Sequence, residues 1–217
     1  MDNSGIIPEE KYDVCIHVGH DHHMLRKLAF ALRSKGVKTY VDDSTRMENC
    51  NPSIRAKVIQ EAKIAVVSLS EDFANSVWNL EQLNHIVESK QKNNQTVIPV
   101  FHHVDRTHVQ QLTGKIGAAF AVHEVRFAEE IDKVYQWKNS LRIVANQPGW
   151  DVPLTRAESK AIEEIANYIV QKLREMSSTT DDQTDQRPAG FHVDIQRTKN
   201  MEPHILQDFV AAGIKSA

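Results

Sequence analysis

Two clusters of histidines and one short helix start hold the residue types with chemical reach in this chain. Gly19-His20-Asp21-His22-His23 sets three imidazoles close together, and His102, His103 and His108 repeat the theme downstream. His-x-His-His is a ligand set suited to zinc or another transition metal, and an unperturbed imidazole titrates near pH 6.5, where a general base is useful. Both clusters follow strand-like runs, which would bring them to one rim. Yet no thiolate or acid stands among them at a metal-ligand spacing, and no nucleophile carries a surrounding motif. Ordinary polar loop residues account for them, and no metal is expected. The stretch Ser76-Val77-Trp78-Asn79-Leu80-Glu81-Gln82-Leu83 opens a helix, with Asn79 as the expected cap and Gln82 reaching back three residues later. Glu81 reads as a solvated first-turn acid favoured by the helix dipole. Neither G-x-G-x-x-G nor G-x-x-x-x-G-K-[ST] occurs, so a Rossmann dinucleotide site and a P-loop are unsupported.

What must position these residues is an alternation of strand-like and helix-like segments. Residues 12–18 are a short run rich in β-branched residues. Asp21 is the expected N-cap of a helix in which Leu25, Leu28, Ala29 and Leu32 recur until Gly36 stops it. Residues 37–41 read as a second strand, 42–52 as a polar loop, and Ser53 as the cap of a helix through Ile54, Val58 and Ile59. Residues 63–69 are apolar almost throughout, which suits a central parallel strand covered on both faces. The next helix carries Leu80, Leu83, Ile86 and Val87 on one face. Residues 95–101 read as a fourth strand, with Pro99 arguing for an edge position or a strand end. A broken helical pattern covers residues 112–146, and Trp150-Asp151-Val152 is a short fifth strand. Residues 156–176 form an amphipathic helix with Ile162, Ile165, Ala166, Ile169, Val170 and Leu173 in one stripe. Such alternation predicts a parallel, doubly wound α/β sheet. Trp78 and Trp137 read as core or helix-anchoring aromatics.

Composition bounds the rest. The 217 residues suit one domain with a proper core plus extra sequence, and the net charge of −3 does not point to a general nucleic-acid binder. Cys15 and Cys50 cannot build a disulfide framework, so a reduced intracellular compartment is expected. The first eleven residues lack the apolar stretch of a signal peptide, and no run of about 20 apolar residues would span a membrane. Residues 177–186 are rich in Ser, Thr, Asp and Gln and read as a solvated linker, with the remainder to 217 as a short tail.

Taken together, Lys11-Tyr12-Asp13-Val14, residues 35–43, the helix start at residues 76–83, Thr96-Val97-Ile98-Pro99-Val100-Phe101 into Val104-Asp105, and Gln136-Trp137 with Leu141 and Gly149-Trp150-Asp151 carry a resemblance in their order. Over residues 11–176 the chain resembles a plant-type Toll/interleukin-1 receptor (TIR) domain, with residues 1–10 as a disordered N-terminus. The resemblance implies a flavodoxin-like sheet of five parallel strands that binds ligands at the carboxyl ends of the strands. It also implies a possible substrate: many such domains are similar to NAD glycohydrolases, in which a Glu carboxylate stabilises the growing positive charge on the ribose. The helix start in the family reads Cys-Leu-x-Glu-Leu. Laid onto this chain, the Cys becomes Asn79 and the acid becomes Gln82, which keeps the shape of Glu but has no charge and cannot act as a base.

Glu81 is the candidate substitute acid, although adjacent helix positions differ by about 100° in direction, which should carry its carboxylate out of the pocket. Gly19, His20, Asp43 and Trp78 fall on the substrate-binding positions that the resemblance implies. Three further departures fit a pocket not kept for catalysis. The first loop is shortened and lacks the family's arginines, Arg26-Lys27 stand where the family has a Ser-His self-association pair, and the loop before Pro52 lacks the usual Gly. The expected function is a TIR-only signalling module of plant innate immunity, catalytically impaired, without a cofactor, pairing with other TIR domains in the cytoplasm or nucleus. Its expected working surfaces are the helix at residues 156–176 and the loop at residues 42–52. The alternative is an NAD glycohydrolase, with NAD as substrate and products that serve as signalling nucleotides.

Overall fold

Five strands, β1 (Val14–Val18), β2 (Thr39–Asp43), β3 (Ile64–Leu69), β4 (Thr96–His102) and β5 (Trp150–Val152), form one parallel sheet in the order β2-β1-β3-β4-β5. Seven helices accompany them among the described residues: α1 (His22–Ser34), α2 (Pro52–Glu61), α3 (Val77–Asn93), α4 (Arg106–Gln111), α5 (Gly114–Arg126), α6 (Ile131–Ala145) and α7 (Glu158–Asp181). This computed structural model describes residues 11–19, 22–43 and 52–181. The chain divides into two units, Met1–Ser177 and Ser178–Ala217, and the described part of the second is only the end of α7. The expected flavodoxin-like sheet is the observed one.

Alternation along the strands builds two cores. Val14, Ile16 and Val18 point to the side of α1 and α7, where Leu25, Leu28, Leu32, Ile165 and Ile169 are buried. Cys15 points to the other side, under Leu80, Leu83, Ile86 of α3 and Trp137, Leu141 of α6. The central strand β3 is buried at every position, as its almost wholly apolar run requires when both faces are covered. Trp137 is a core residue, with no exposure.

Several expectations are corrected. The cap of α3 is Ser76, whose Oγ accepts from the Asn79 N–H at 3.3 Å, while Asn79 lies inside the first turn and its side chain donates to the Phe73 carbonyl at 3.2 Å. The extended backbone of Ser76, following the 3-10 turn Phe73–Asn75, suits an N-cap. Helix α2 starts at Pro52 rather than behind a Ser53 cap, since proline's fixed φ suits the first helical position. Strand β2 runs two residues further than expected, through Asp43. Helix α7 continues to Asp181, into residues read as linker. No Gly or Pro interrupts it there, and Ser177 Oγ donates back to the Leu173 carbonyl at 2.9 Å. The expected Asp21 cap and most of the 42–52 loop lie outside the described residues.

Pro99 sits in an internal strand, not at the sheet edge. Its ladder with β5 begins only at Val100, so at Pro99 itself that side of β4 is not yet strand-paired. The backbone of Gly149 fills the space: a Cβ added there would stand 2.2 Å from the Pro99 carbonyl oxygen. Gly149→Ala must therefore displace backbone, and it is expected to lower unfolding free energy by about 1–3 kcal/mol in a denaturant titration.

Candidate functional site

The sheet register builds the site. In the parallel β1–β2 ladder His17 stands opposite Asp42, near the carboxyl ends of both strands. His17 Nδ1 and Asp42 Oδ2 are 3.0 Å apart, and both side chains are buried. Arg55 enters from α2, its Nε 3.0 Å from the second Asp42 oxygen and itself only 8% exposed. The Trp78 ring lies 4.9 Å from the His17 ring at a 32° tilt, the Arg55 guanidinium stands 5.6 Å from the Trp78 ring, and Phe73 meets His17 edge-on at 6.1 Å. A buried charge is tolerated when paired, and here one carboxylate bridges an imidazole and a guanidinium under an aromatic lid.

Gly19 closes the floor where β1 ends. A Cβ there would approach the Phe73 ring and the Ser68 carbonyl oxygen to 3.3 Å and Asn79 Nδ2 to 3.7 Å. Among the described residues, the buried atoms His17 Nε2, Trp78 Nε1 and Asn79 Oδ1 find no hydrogen-bond partner. Unpaired buried polar atoms each cost about 1–3 kcal/mol, so donors and acceptors are offered here to a polar group. The thiol of Cys15, two residues before His17, is no nucleophile. Burial, and after it the Asp42 charge, push its pKa well above the ordinary value.

The residues singled out from sequence fall as follows. Gly19 and Trp78 are together in this site. Gln82 is 9% exposed and, four residues after Trp78 and three after Asn79, shares their helix face. Asp43 ends β2, but its side chain is outside the described residues, as is all of His20. Glu81 is turned to α6, where its Oε1 lies 2.7 Å from Lys133 Nζ. The hydrogen bond that Lys133 donates to Glu81 raises the Lys133 pKa. Replacing Glu81 with Gln is expected to cost no more than about 1 kcal/mol, as for a part-exposed pair, and to leave any nicotinamide release unchanged. A fall in release would identify Glu81 as an acid of the reaction.

His17, Asp42 and Arg55 were not foreseen. The one visible signal was a lone imidazole inside the apolar run Val14-Cys15-Ile16-His17-Val18, and its partners depend on register. Of the histidine clusters, His102 and His103 stack at 3.7 Å at the end of β4, while His23 is exposed on α1. The shared rim expected for the two clusters rests on residues 20–22, of which His20 and Asp21 lie outside the described residues, as does the His22 side chain.

The sequence profile of the TIR domain family matches residues 11–187. The chain belongs to the TIR-domain family. This TIR domain is 34% identical over 166 residues to the disease resistance protein RPV1 of Vitis rotundifolia, and 33% identical over 147 residues to the TMV resistance protein N of Nicotiana glutinosa. Those alignments cover 75% and 67% of this chain but 12% and 13% of the relatives. It is also 34% identical over 151 residues to the Arabidopsis thaliana protein SUPPRESSOR OF npr1-1, CONSTITUTIVE 1. Among solved structures it is similar to the TIR domains of the activated Roq1 resistosome directly recognizing the pathogen effector XopQ. That match has a TM-score of 0.66 at 34% identity and covers 73% of this chain and 99% of the other. The relatives are plant immunity proteins. No described helix of this TIR domain is long and apolar enough to cross a membrane.

Proposed function

We propose that this TIR domain is an assembling subunit of plant innate immune signalling that binds other TIR domains and does not hydrolyse NAD at a useful rate. The observation that carries the reading is the fate of the negative charges around Trp78. The helix face that would present an acid presents Gln82, and Asp42, the one buried carboxylate among the described residues, is held between His17 and Arg55. A carboxylate neutralised by a guanidinium and hidden from solvent cannot meet a sugar cation. Assembly is supported by the likeness to TIR domains taken from a resistosome and by apolar side chains left at the surface, Phe30 on α1 and Val122 and Val125 on α5. Action in the cytoplasm or nucleus belongs to the same reading, with NAD as at most a ligand.

A silent subunit inserted into a head-to-tail array interrupts composite sites, because each contact needs only one intact face. The test mixes the purified chain with a catalytically competent plant TIR domain and NAD. Release of nicotinamide by the competent partner is expected to fall with rising amounts of this chain, which alone releases none. Steady turnover by this chain alone would overturn the proposal in favour of an NAD glycohydrolase.

A further inference from the structure

We propose that His102, His103 and Glu158 form a binding site for a zinc-type divalent cation at the exit of β4, two strands across the sheet from His17. Consecutive residues of a strand normally send their side chains to opposite faces. His103, the first residue past β4, leaves that alternation. Its φ of +54° turns the backbone into the left-handed region, and the two imidazoles stack with centroids 3.7 Å apart and planes 30° from parallel. A non-glycine residue held there is strained. The conformation is fixed from the far side, where the His103 N–H donates to the Val152 carbonyl at 3.0 Å.

Glu158, the first residue of α7, completes the group. Its Oε1 is 3.7 Å from His102 Nε2, and one ligand atom from each of the three side chains lies within 4.8 Å of the others. Bonds of about 2.0–2.1 Å in a tetrahedral zinc site set ligand atoms roughly 3.3 Å apart. The required closure is therefore up to about 1.5 Å, supplied by rotation of the 34%-exposed Glu158 and by the exposed His103 ring turning out of its stack so that both imidazoles face one ion. Nearby positive charge does not forbid a cation. Arg106 is committed to both oxygens of Asp151 at 3.2 Å, and Lys27 stands 3.8 Å from the other Glu158 oxygen in an exposed, weak pair. Two imidazoles and one carboxylate without a thiolate match an N/O-ligated zinc site with an open position. His103 borders an open pocket of about 550 Å³, lined also by Asp105 and Asp151, from which water would fill that position. A bound cation would tie the end of β4 to the first turn of α7.

The test uses the full chain freed of metal by a chelator and titrated with zinc, followed by calorimetry and by thermal unfolding. One-to-one binding that raises the melting temperature is expected, because a ligand held only by the folded state stabilises it. Affinity should fall at least about tenfold in both His103→Ala and Glu158→Gln, since even outer-shell losses cost about 10–100-fold. His103 is exposed and Glu158 half-buried, so both variants should fold, which circular dichroism checks. A His20→Ala/His23→Ala variant should bind as the parent does. Cobalt in place of zinc should give the visible bands of a tetrahedral ion, absent from His103→Ala. Absence of saturable zinc binding, or binding that survives both site variants and is lost only with the loop histidines, would overturn the proposal.

Discussion

Gln82→Glu is expected to raise nicotinamide release from NAD by about 10²–10⁴-fold over the unmodified chain, the range that one positioned carboxylate typically contributes. The physical reason is charge alone. Glu and Gln differ little in shape, so helix α3 and its buried face, with Leu80, Leu83 and Ile86, should be undisturbed. Position 82 lies one turn beyond Trp78 and is 9% exposed, a setting of low dielectric in which a carboxylate acts strongly on a neighbouring cation. Single-turnover measurement of nicotinamide at saturating NAD reads the change. If release stays at background while NAD still binds, the missing charge is not what silences the site, and the shortened loop after Gly19 becomes the reason instead.

Asp42→Ala should be among the most damaging single changes to stability in the described core, lowering unfolding free energy by about 3–5 kcal/mol. The side chain removed is small, so the loss is not one of packing. It leaves the Arg55 guanidinium buried with no counter-charge and strips His17 Nδ1 of its partner, 3.0 Å away in the intact protein. Replacing the arginine as well, in Asp42→Ala/Arg55→Met, should recover at least half of the loss, because a buried ion pair exchanged for apolar groups is often close to neutral. Guanidinium titrations of the three proteins give the comparison. Losses that simply add, or a single-variant loss under 1 kcal/mol, would mean that Asp42 and Arg55 do not depend on each other.

Much of the architecture could be read along the chain because local physics and global fold agree there. The almost wholly apolar run of β3 demanded cover on both faces, and it lies at the centre of the sheet with every residue buried. Gly36 ends the α1 region with φ +81°, a conformation that glycine reaches without the steric cost a side chain adds. Errors fell where two local signals competed. Ser76 and Asn79 are both good caps, and the choice went to Ser76 because the 3-10 turn before it leaves its backbone extended. Pro99 spoke for an edge, but a proline needs only one unpaired side at one residue, which the late start of β5 provides.

By itself the sequence determined the order of strands and helices and the family, since each is written in residue type and spacing along one chain. Only the tertiary structure decided that His17 meets Asp42, that Arg55 locks this carboxylate from a third element, and that His102, His103 and Glu158 gather at the end of β4. The reason is that parallel register and crossover packing join residues 25, 13 and 56 positions apart (17 to 42, 42 to 55, 102 to 158), and no local periodicity encodes a distance of that kind.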